Sequence, residues 1–365
     1  MNSRAFLQAL LAAALFGATT PASKELLEHL PPELCAGLFY LGAALGLLPV
    51  LLRHPDARGR FGWPADRPNQ KRLLGAILFG GVLGPLLLLW GLTRTSAAST
   101  SILLNLETPA TALLALVLFR EHVGRLAWVA NAGLLAAGIL LSFEGGKPGL
   151  IGALLIALAT LAWGFDNNLT ALIDGITPSE STFWKGLVAG CVNLTIGLVI
   201  TGGATPNLAW LGALAIGMLG YGASIVLYIR SAQALGASRS GLVFGSAPFW
   251  GVLLALLFLG EALQVNQVVA LVLTVLSLGL LFLEQHAHVH VHEAQTHTHG
   301  HRHDDGHHDH THPGLAPSTY HTHEHTHARL VHEHAHLPDL HHRHAHAELT
   351  PERRAELEAE LNAEG

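Results

Sequence analysis

The stretch 228–261, YIRSAQALGASRSGLVFGSAPFWGVLLALLFLGE, decides the fold of this chain. It holds the end of one apolar segment, a short polar crossing, and a second apolar segment with Pro248 near its middle. The earlier stretch 90–121, WGLTRTSAASTSILLNLETPATALLALVLFRE, repeats this pattern. Glu121 and Glu261 are 140 positions apart (261 − 121 = 140), so the chain contains a long internal repeat, which sets its architecture.

Composition divides the 365 residues into two parts. Half of the residues are hydrophobic and 13% are charged. The tail that begins at His286 holds 23 of the 26 histidines, with 5 Lys or Arg and 13 Asp or Glu. The first part is therefore typical of a membrane domain and the second of a polar, low-complexity appendage. Neither part has the basic excess that a nucleic-acid partner requires.

The repeat also extends to the N-terminus. The apolar stretch after Arg4 resembles a secretory signal peptide. Its residues have counterparts 147 positions later, which argues for a retained helix: Gly17 and Gly164, Pro31 and Pro178, Glu33 and Glu180.

Ten segments are apolar enough to cross a bilayer, which takes about 20 residues for a helix. They are 5–22, 34–52, 73–92, 97–119, 126–143, 149–165, 183–201, 209–229, 241–259 and 267–284. We therefore predict an all-α integral membrane protein with five spans in each repeat. The expected domains are a first repeat at 1–145, a second at 146–285, a His-rich tail at 286–346 and a short helix at 347–365.

Loop charges predict the orientation. Segment 53–72 is the strongest basic cluster of the membrane part, and placing it in the cytoplasm puts 12 of the 15 Lys and Arg residues before the tail on that side. Both termini then lie in the cytoplasm. Because five spans are an odd number, the two repeats cross the membrane in opposite directions, as in many secondary transporters.

The order of these residues resembles the EamA family of the drug/metabolite transporter superfamily. The residues that carry the resemblance are Gly17 and Lys24, Trp163 and Gly164, Ser99, Pro109 and Glu121, and Ala234, Leu235, Pro248, Leu259, Gly260 and Glu261. The resemblance covers 5–284 and implies ten helices, two EamA repeats and a central pathway for small metabolites. The family often has a basic residue early in the second helix of each repeat. Lys185 matches it, whereas Phe39 and Tyr40 stand at that place in the first repeat.

Glu107 is the first candidate for a substrate or proton site. It lies near the middle of a span, two residues before Pro109, and a charge inside a span is costly. Burial of a carboxylate favours proton uptake, so Glu107 could cycle protons. The alternative is a structural acid that faces another helix. Asn105 is a weaker candidate, since residues two apart do not share a helix face.

Three further candidates lie in the second repeat. Asp166 and Asn167 could line a cavity mouth, although such residues are also expected where a helix end meets water. Lys185 could pair with an acid, attract an anion, or extend to the membrane interface, which is the most common behaviour of a lone lysine at a helix end. Trp250, two residues after Pro248, is the aromatic candidate for the cavity.

The tail predicts metal binding. In an extended chain, alternating His-x-His places successive imidazoles on one side, and imidazole binds Zn, Ni, Co and Cu. The alternatives are a metal buffer or storage tract, a pH-responsive disordered tail and an expanded low-complexity repeat without function. We expect the tail to be disordered without metal, because it has no core to bury. The expected ligands are His286, His288, His290, His292, His297, His299, His301, His303, His307, His308, His310 and His312.

The sequence thus predicts a transporter and not an enzyme, and it contains no P-loop for ATP. We expect a secondary transporter, an exporter of a small metabolite, in the inner (plasma) membrane of a prokaryote, with no required cofactor. The alternatives are a divalent-metal transporter and a membrane metal sensor or scaffold. The expected partners are the lipid bilayer, a small-molecule substrate and divalent metal ions, with a homodimer as an open alternative.

Overall fold

The computed structural model describes residues 3–53, 61–119, 124–143, 146–173, 176–235, 237–283, 287–292, 295–301, 321–327 and 330–335, together with 356 and 359. In these residues all regular secondary structure of the membrane part is helical. Its helices are α1 (Ser3–Gly17), α2 (Thr19–Leu26), α3 (Pro32–Arg53), α4 (Arg67–Ala76), α5 (Gly84–Leu92), α6 (Ala97–Leu103), α7 (Glu107–Phe119), α8 (Arg125–Ser142), α9 (Gly146–Thr170), α10 (Pro178–Ile200), α11 (Leu208–Ile216), α12 (Ser224–Leu235), α13 (Ala237–Phe244), α14 (Ala247–Phe258) and α15 (Val265–Leu283).

Eight helical runs of the described residues are long and apolar enough to cross a membrane, and two more apolar helices are shorter. The eight are Ser3–Leu26, Pro32–Leu52, Arg67–Leu92, Ala97–Val117, Arg125–Ser142, Gly149–Thr170, Pro178–Ile200 and Leu208–Ala232, and the two are Ala247–Phe258 and Val265–Leu281. Each overlaps one of the ten predicted segments. Several predicted limits are wrong by a few residues, because polar residues such as Asp166 continue the helices beyond the apolar run.

Two of these runs are widened by π-helical turns. Ile77–Leu83 connects α4 to α5, and Gly217–Ala223 connects α11 to α12. Their first residues are 140 positions apart (217 − 77 = 140), the displacement found in the sequence repeat. A π-turn frees backbone groups from the regular helix ladder and occurs frequently at functional sites.

The first helix of each half packs against the other half. Helix α1 contacts α12, α13 and α14, and α9 contacts α4, α5 and α7. The most extensive helix contact is that of α3 with α10, followed by that of α8 with α15. Fully buried apolar side chains fill the centre, among them Phe39, Leu89 and Ile156. Large apolar side chains also cover the outside, as expected of a lipid-facing surface: Val117 is 66% exposed and Val199 is 74% exposed.

The tail differs from the predicted disorder where the structure describes it. Four strands are present: β1 (Ala287–His292), β2 (Gln295–His301), β3 (His321–His327) and β4 (Leu330–Ala335). β1 pairs antiparallel with β4, and β2 with β3, as two separate two-stranded sheets. Alternating β-branched residues such as Val289, Val291 and Thr296 favour strands. Of the predicted C-terminal helix only Glu356 and Ala359 are described, and both are helical.

Candidate functional site

The site is built around the π-turn of the first half. The carbonyl of Gly80 accepts hydrogen bonds from the Tyr40 hydroxyl (2.6 Å) and from Trp163 Nε1 (3.1 Å). The next carbonyl, of Gly81, accepts one from Asn193 Nδ2 at 2.9 Å. Side chains of α3, α9 and α10 thus satisfy the carbonyls of this turn. The turn holds three helices at one point inside the membrane part.

Lys185 and Asp166 form an ion pair beside this turn. The Lys185 ammonium lies 2.5 Å from one carboxylate oxygen of Asp166 and 2.6 Å from the other. The Thr170 hydroxyl donates to the first oxygen at 2.8 Å. The side chains of Lys185 and Asp166 are only 16% and 9% exposed. The pair is thus held inside the protein, where losing either partner leaves an unpaired charge.

This pair corrects two interpretations of the sequence. Lys185 does not extend to the membrane interface, because a buried carboxylate lies within its reach. Asp166 does not mark a helix end in water, because α9 continues to Thr170 and Asp166 is buried.

Glu107 faces the same region from α7. Its Oε1 accepts a hydrogen bond of 2.6 Å from Asn167 Nδ2, which also lies 3.4 Å from the Thr111 hydroxyl. Asn167 is exposed although it belongs to a spanning helix and bonds to the facing helix α7. This hydrogen bond therefore joins α9 to α7 at a position where Asn167 is exposed and Glu107 is half-buried.

The three charged groups act as one electrostatic unit. Glu107 interacts electrostatically with both Asp166 and Lys185, and Tyr40 with Asp166 and Glu107. Lys185 neutralises Asp166 through direct hydrogen bonds, whereas the hydrogen-bond partner of Glu107 is a neutral amide. The cluster thus contains two acidic side chains and one basic side chain.

The structure brings together four of the six predicted membrane-site residues: Glu107, Asp166, Asn167 and Lys185. Asn105 donates locally to the Ile102 carbonyl at 3.0 Å, in the 3₁₀ turn before α7. Trp250 packs elsewhere.

Trp250 belongs to the contact between α14 and α1. A Cβ added at Gly17 would lie 2.8 Å from Trp250 Cβ. No described contact joins Trp250 to the charged cluster.

The sequence interpretation missed Tyr40, Trp163 and Asn193 as parts of the site. Their shared target is the glycine pair Gly80 and Gly81, whose carbonyls accept their hydrogen bonds. The sequence feature that could have indicated these residues is the repeated glycine, at Gly80 in the first half and Gly220 in the second. Both glycines lie in π-turns.

Metal binding has no described site in the membrane part. Where the structure describes side chains, no group of three or more His, Cys, Asp and Glu could hold a metal ion. The predicted histidine ligands lie in the tail, and their side chains are outside the described residues. Cys35 and Cys191 are both free; Cys35 is buried and Cys191 is exposed.

Comparisons with known proteins agree on the class of protein. The model of the EamA-like transporter family matches twice, at residues 3–143 and 150–283. An uncharacterized transporter of Methanothermobacter thermautotrophicus strain Delta H is 24% identical over 280 residues, which cover 72% of this chain and 81% of the relative. A crystal structure described only as that of a protein has a TM-score of 0.53 and 19% identity, covering 76% of this chain and 96% of its own, and it supports the fold alone. Because the family model matches most of the chain, this protein belongs to the EamA-like transporter family and is a multi-pass membrane transporter.

Proposed function

We propose that this protein is a secondary transporter that exports a small metabolite through a proton-exchanging pathway at Glu107. The observation that carries the proposal is the hydrogen bond between Glu107 and Asn167, beside the Lys185–Asp166 pair, where three helices from both halves meet. A carboxylate inside a membrane protein whose hydrogen-bond partner is a neutral amide is suited to exchange a proton for substrate.

The proposal includes ten spans arranged as two inverted repeats. The equal spacing of the two π-turns supports it, and so does the packing around them. A Cβ at Gly80 would collide with Asp166, and a Cβ at the corresponding Gly220 would collide with Thr19. Thr19 corresponds to Asp166 at the displacement of 147 (166 − 19 = 147). Both halves therefore place the same helix position against the same glycine.

Loop charges support the proposed location. If segment 53–72 is cytoplasmic, as the positive-inside bias favours, both termini also lie in the cytoplasm. We propose the inner (plasma) membrane as the location. The repeats would extend over 1–145 and 146–285, with the His-rich tail reaching into the cytoplasm.

A flux measurement tests the proton site. The chain is reconstituted into liposomes, and efflux of a panel of metabolites is followed with and without a pH gradient. We expect Glu107→Gln to abolish the gradient-driven part of the flux and Glu25→Gln, an exposed acid on α2, to leave it intact. Unchanged gradient-driven flux in Glu107→Gln would refute the proton site.

For the tail, we propose binding of Zn, Ni, Co or Cu through its histidines. Deletion of 286–365 separates the candidate functions. Unchanged metabolite efflux with lost zinc binding supports a metabolite transporter that carries a metal-binding tail. Loss of cellular metal tolerance with an intact membrane part would favour a metal transporter. If the deletion leaves metal tolerance unchanged and the full chain shows no flux in any assay, a sensor or scaffold is favoured.

A further inference from the structure

The two ends of the molecule differ although the halves repeat. Helix α6 packs against α14. Their counterparts at the displacement of 140 are α13 and α7, and the described residues of these two helices form no comparable contact. The two halves therefore meet where α6 begins and α14 ends, and the described residues of α7 and α13 form no comparable contact at the opposite end.

The α6/α14 end is tightly packed. A Cβ added at Gly251 of α14 would lie 2.9 Å from Ser101 Cβ, closer than side chains approach in proteins. Ser101 on α6 is only 1% exposed. Water and solutes cannot reach this part of the interface while the two helices stay in contact.

Glu261 bridges the two halves at this end. It follows α14, and its two carboxylate oxygens accept hydrogen bonds from the amides of Ala97 (2.8 Å) and Ala98 (2.9 Å). These amides begin α6, where amides have no partner within their own helix. Hydrogen bonds to a charged acceptor are about twice as strong as those between neutral groups. Separating α6 from α14 has to break both bonds.

Two neighbouring side chains reinforce the bridge. Gln267 on α15 donates to the hydroxyls of Ser96 (3.1 Å) and Ser99 (2.8 Å) at the start of α6. Lys24 on α2 interacts electrostatically with Glu261. Its ammonium also donates to the carbonyls of residues 92 and 95, at 2.7 Å each, just before α6.

These reinforcing residues are not repeated at the other end. The sequence counterpart of Glu261 is Glu121, which lies outside the described residues. The counterparts of Lys24 and Gln267 are Ala171 (24 + 147) and Ala127 (267 − 140), neither of which can make such bonds. The helices are duplicated, but the reinforcing contacts of Lys24 and Gln267 occur only at the end where α6 begins.

We propose that Glu261 is a positioning residue of the transport cycle, whose carboxylate holds the α6/α14 end closed in the resting protein and releases it when that end opens. The inference rests on the proposed transport function. In the orientation proposed above, the closed end faces away from the cytoplasm, and the resting transporter is open to the cytoplasm, as an exporter needs for loading.

Thiol labelling tests the proposal without any substrate. Ser101→Cys reports on the α6/α14 interface, and buried Cys35 reports on general unfolding, in a chain that also carries Cys191→Ser. The protein in liposomes is treated with a membrane-impermeant thiol reagent, and labelling at each cysteine is read by peptide mass spectrometry. We expect Glu261→Gln to raise the labelling rate at position 101 about tenfold, with Cys35 unchanged, and Glu261→Asp to give an intermediate rate. A tenfold change corresponds to about 1.4 kcal/mol in the opening equilibrium.

Glu28→Gln is the matched control. Glu28 is an exposed acid at the same end that interacts electrostatically with Lys24, so its replacement changes charge there without removing the bonds to α6. Equal labelling of Ser101→Cys with and without Glu261→Gln would overturn the proposal, as would a parallel rise at Cys35. If Glu261→Gln does not fold, Glu261→Asp supplies the test, and a labelling rate equal to that of the chain with Glu261 would overturn the proposal. Because labelling needs no transport, a failed flux assay refutes the proposed function and leaves this result standing.

Discussion

The Lys185 ammonium is hydrogen-bonded to both carboxylate oxygens of Asp166, at 2.5 Å and 2.6 Å, between helices α10 and α9. Each residue neutralises the other in a region where an isolated charge is costly. This pairing leaves Glu107 as the carboxylate of the cluster whose bonded partner is neutral. The two acids on facing helices therefore differ in their bonded partners: Asp166 is paired with a cation and Glu107 with a neutral amide.

Removing one member of the ion pair is expected to destabilise the protein more than removing both. Lys185→Met leaves Asp166 buried without its cation, and such losses cost about 3–5 kcal/mol. The double variant Lys185→Met with Asp166→Asn removes the unpaired charge and should recover part of the loss. Unfolding in detergent measures the difference, with the exposed Lys71→Met as the control. A double variant less stable than Lys185→Met would contradict the assignment.

Gly80 is expected to tolerate no side chain. A Cβ there would overlap the Asp166 carboxylate, so Gly80→Ala must displace the ion pair or the π-turn. Overpacking of this kind costs about 1–3 kcal/mol. Gly279→Ala is the matched control, because a Cβ at Gly279 meets nothing within 4 Å. If the two variants melt at the same temperature, Gly80 and Asp166 are not in such close contact.

Tyr40→Phe is expected to weaken the first π-turn without leaving a large cavity, because the aromatic ring is retained. The Gly80 carbonyl would lose the hydroxyl donor at 2.6 Å and keep Trp163 Nε1. We expect a loss of about 1 kcal/mol in the free energy of unfolding. Tyr228→Phe serves as the comparison, since its ring packs against Phe244 instead of against this turn. Equal stability losses in both variants would argue against a specific role for the Tyr40 hydroxyl.

Asp66 is expected to make stability depend on acid pH. It caps α4 from outside the spans, and the hydrogen bond from the Asn69 amide, followed by that from the Asn69 side chain, holds the pKa of Asp66 below its ordinary value. A depressed pKa in the folded state means that the carboxylate stabilises the fold above its unfolded pKa, and this contribution is lost as pH falls through the folded value.

Asp66→Ala should therefore lower the free energy of unfolding by about 1 kcal/mol at pH 7, with a smaller effect in acid. Asp66→Asn, which keeps a capping oxygen, should remove the pH dependence of this contribution. Melting in detergent at pH 7 and in acid, compared with wild type, checks both. An Asp66→Ala effect that grows as the pH falls would contradict the sign.

Much of the membrane part was predictable from the sequence. All ten apolar segments overlap apolar helices, because apolar length and composition are local properties of the chain. The candidates Glu107, Asp166, Asn167 and Lys185 were recognised because polar groups inside spans are rare and conspicuous. Their partners were not predictable, since Trp163 and Tyr40 fit equally well as packing residues until the Gly80 carbonyl is placed between them.

Sequence alone determined the class of protein, the order of the spans and their duplication, because hydropathy and repeat spacing are carried along the chain. The tertiary structure decided which charges meet and which end is closed. Lys185 and Asp166 are 19 positions apart, and the Ala97 amide and Glu261 are 164 apart. Contacts over such separations depend on how each helix is rotated and where it crosses its neighbour. Close packing at glycines such as Gly80 and Gly251 helps to set those angles, because an added Cβ would collide with the neighbouring helix there.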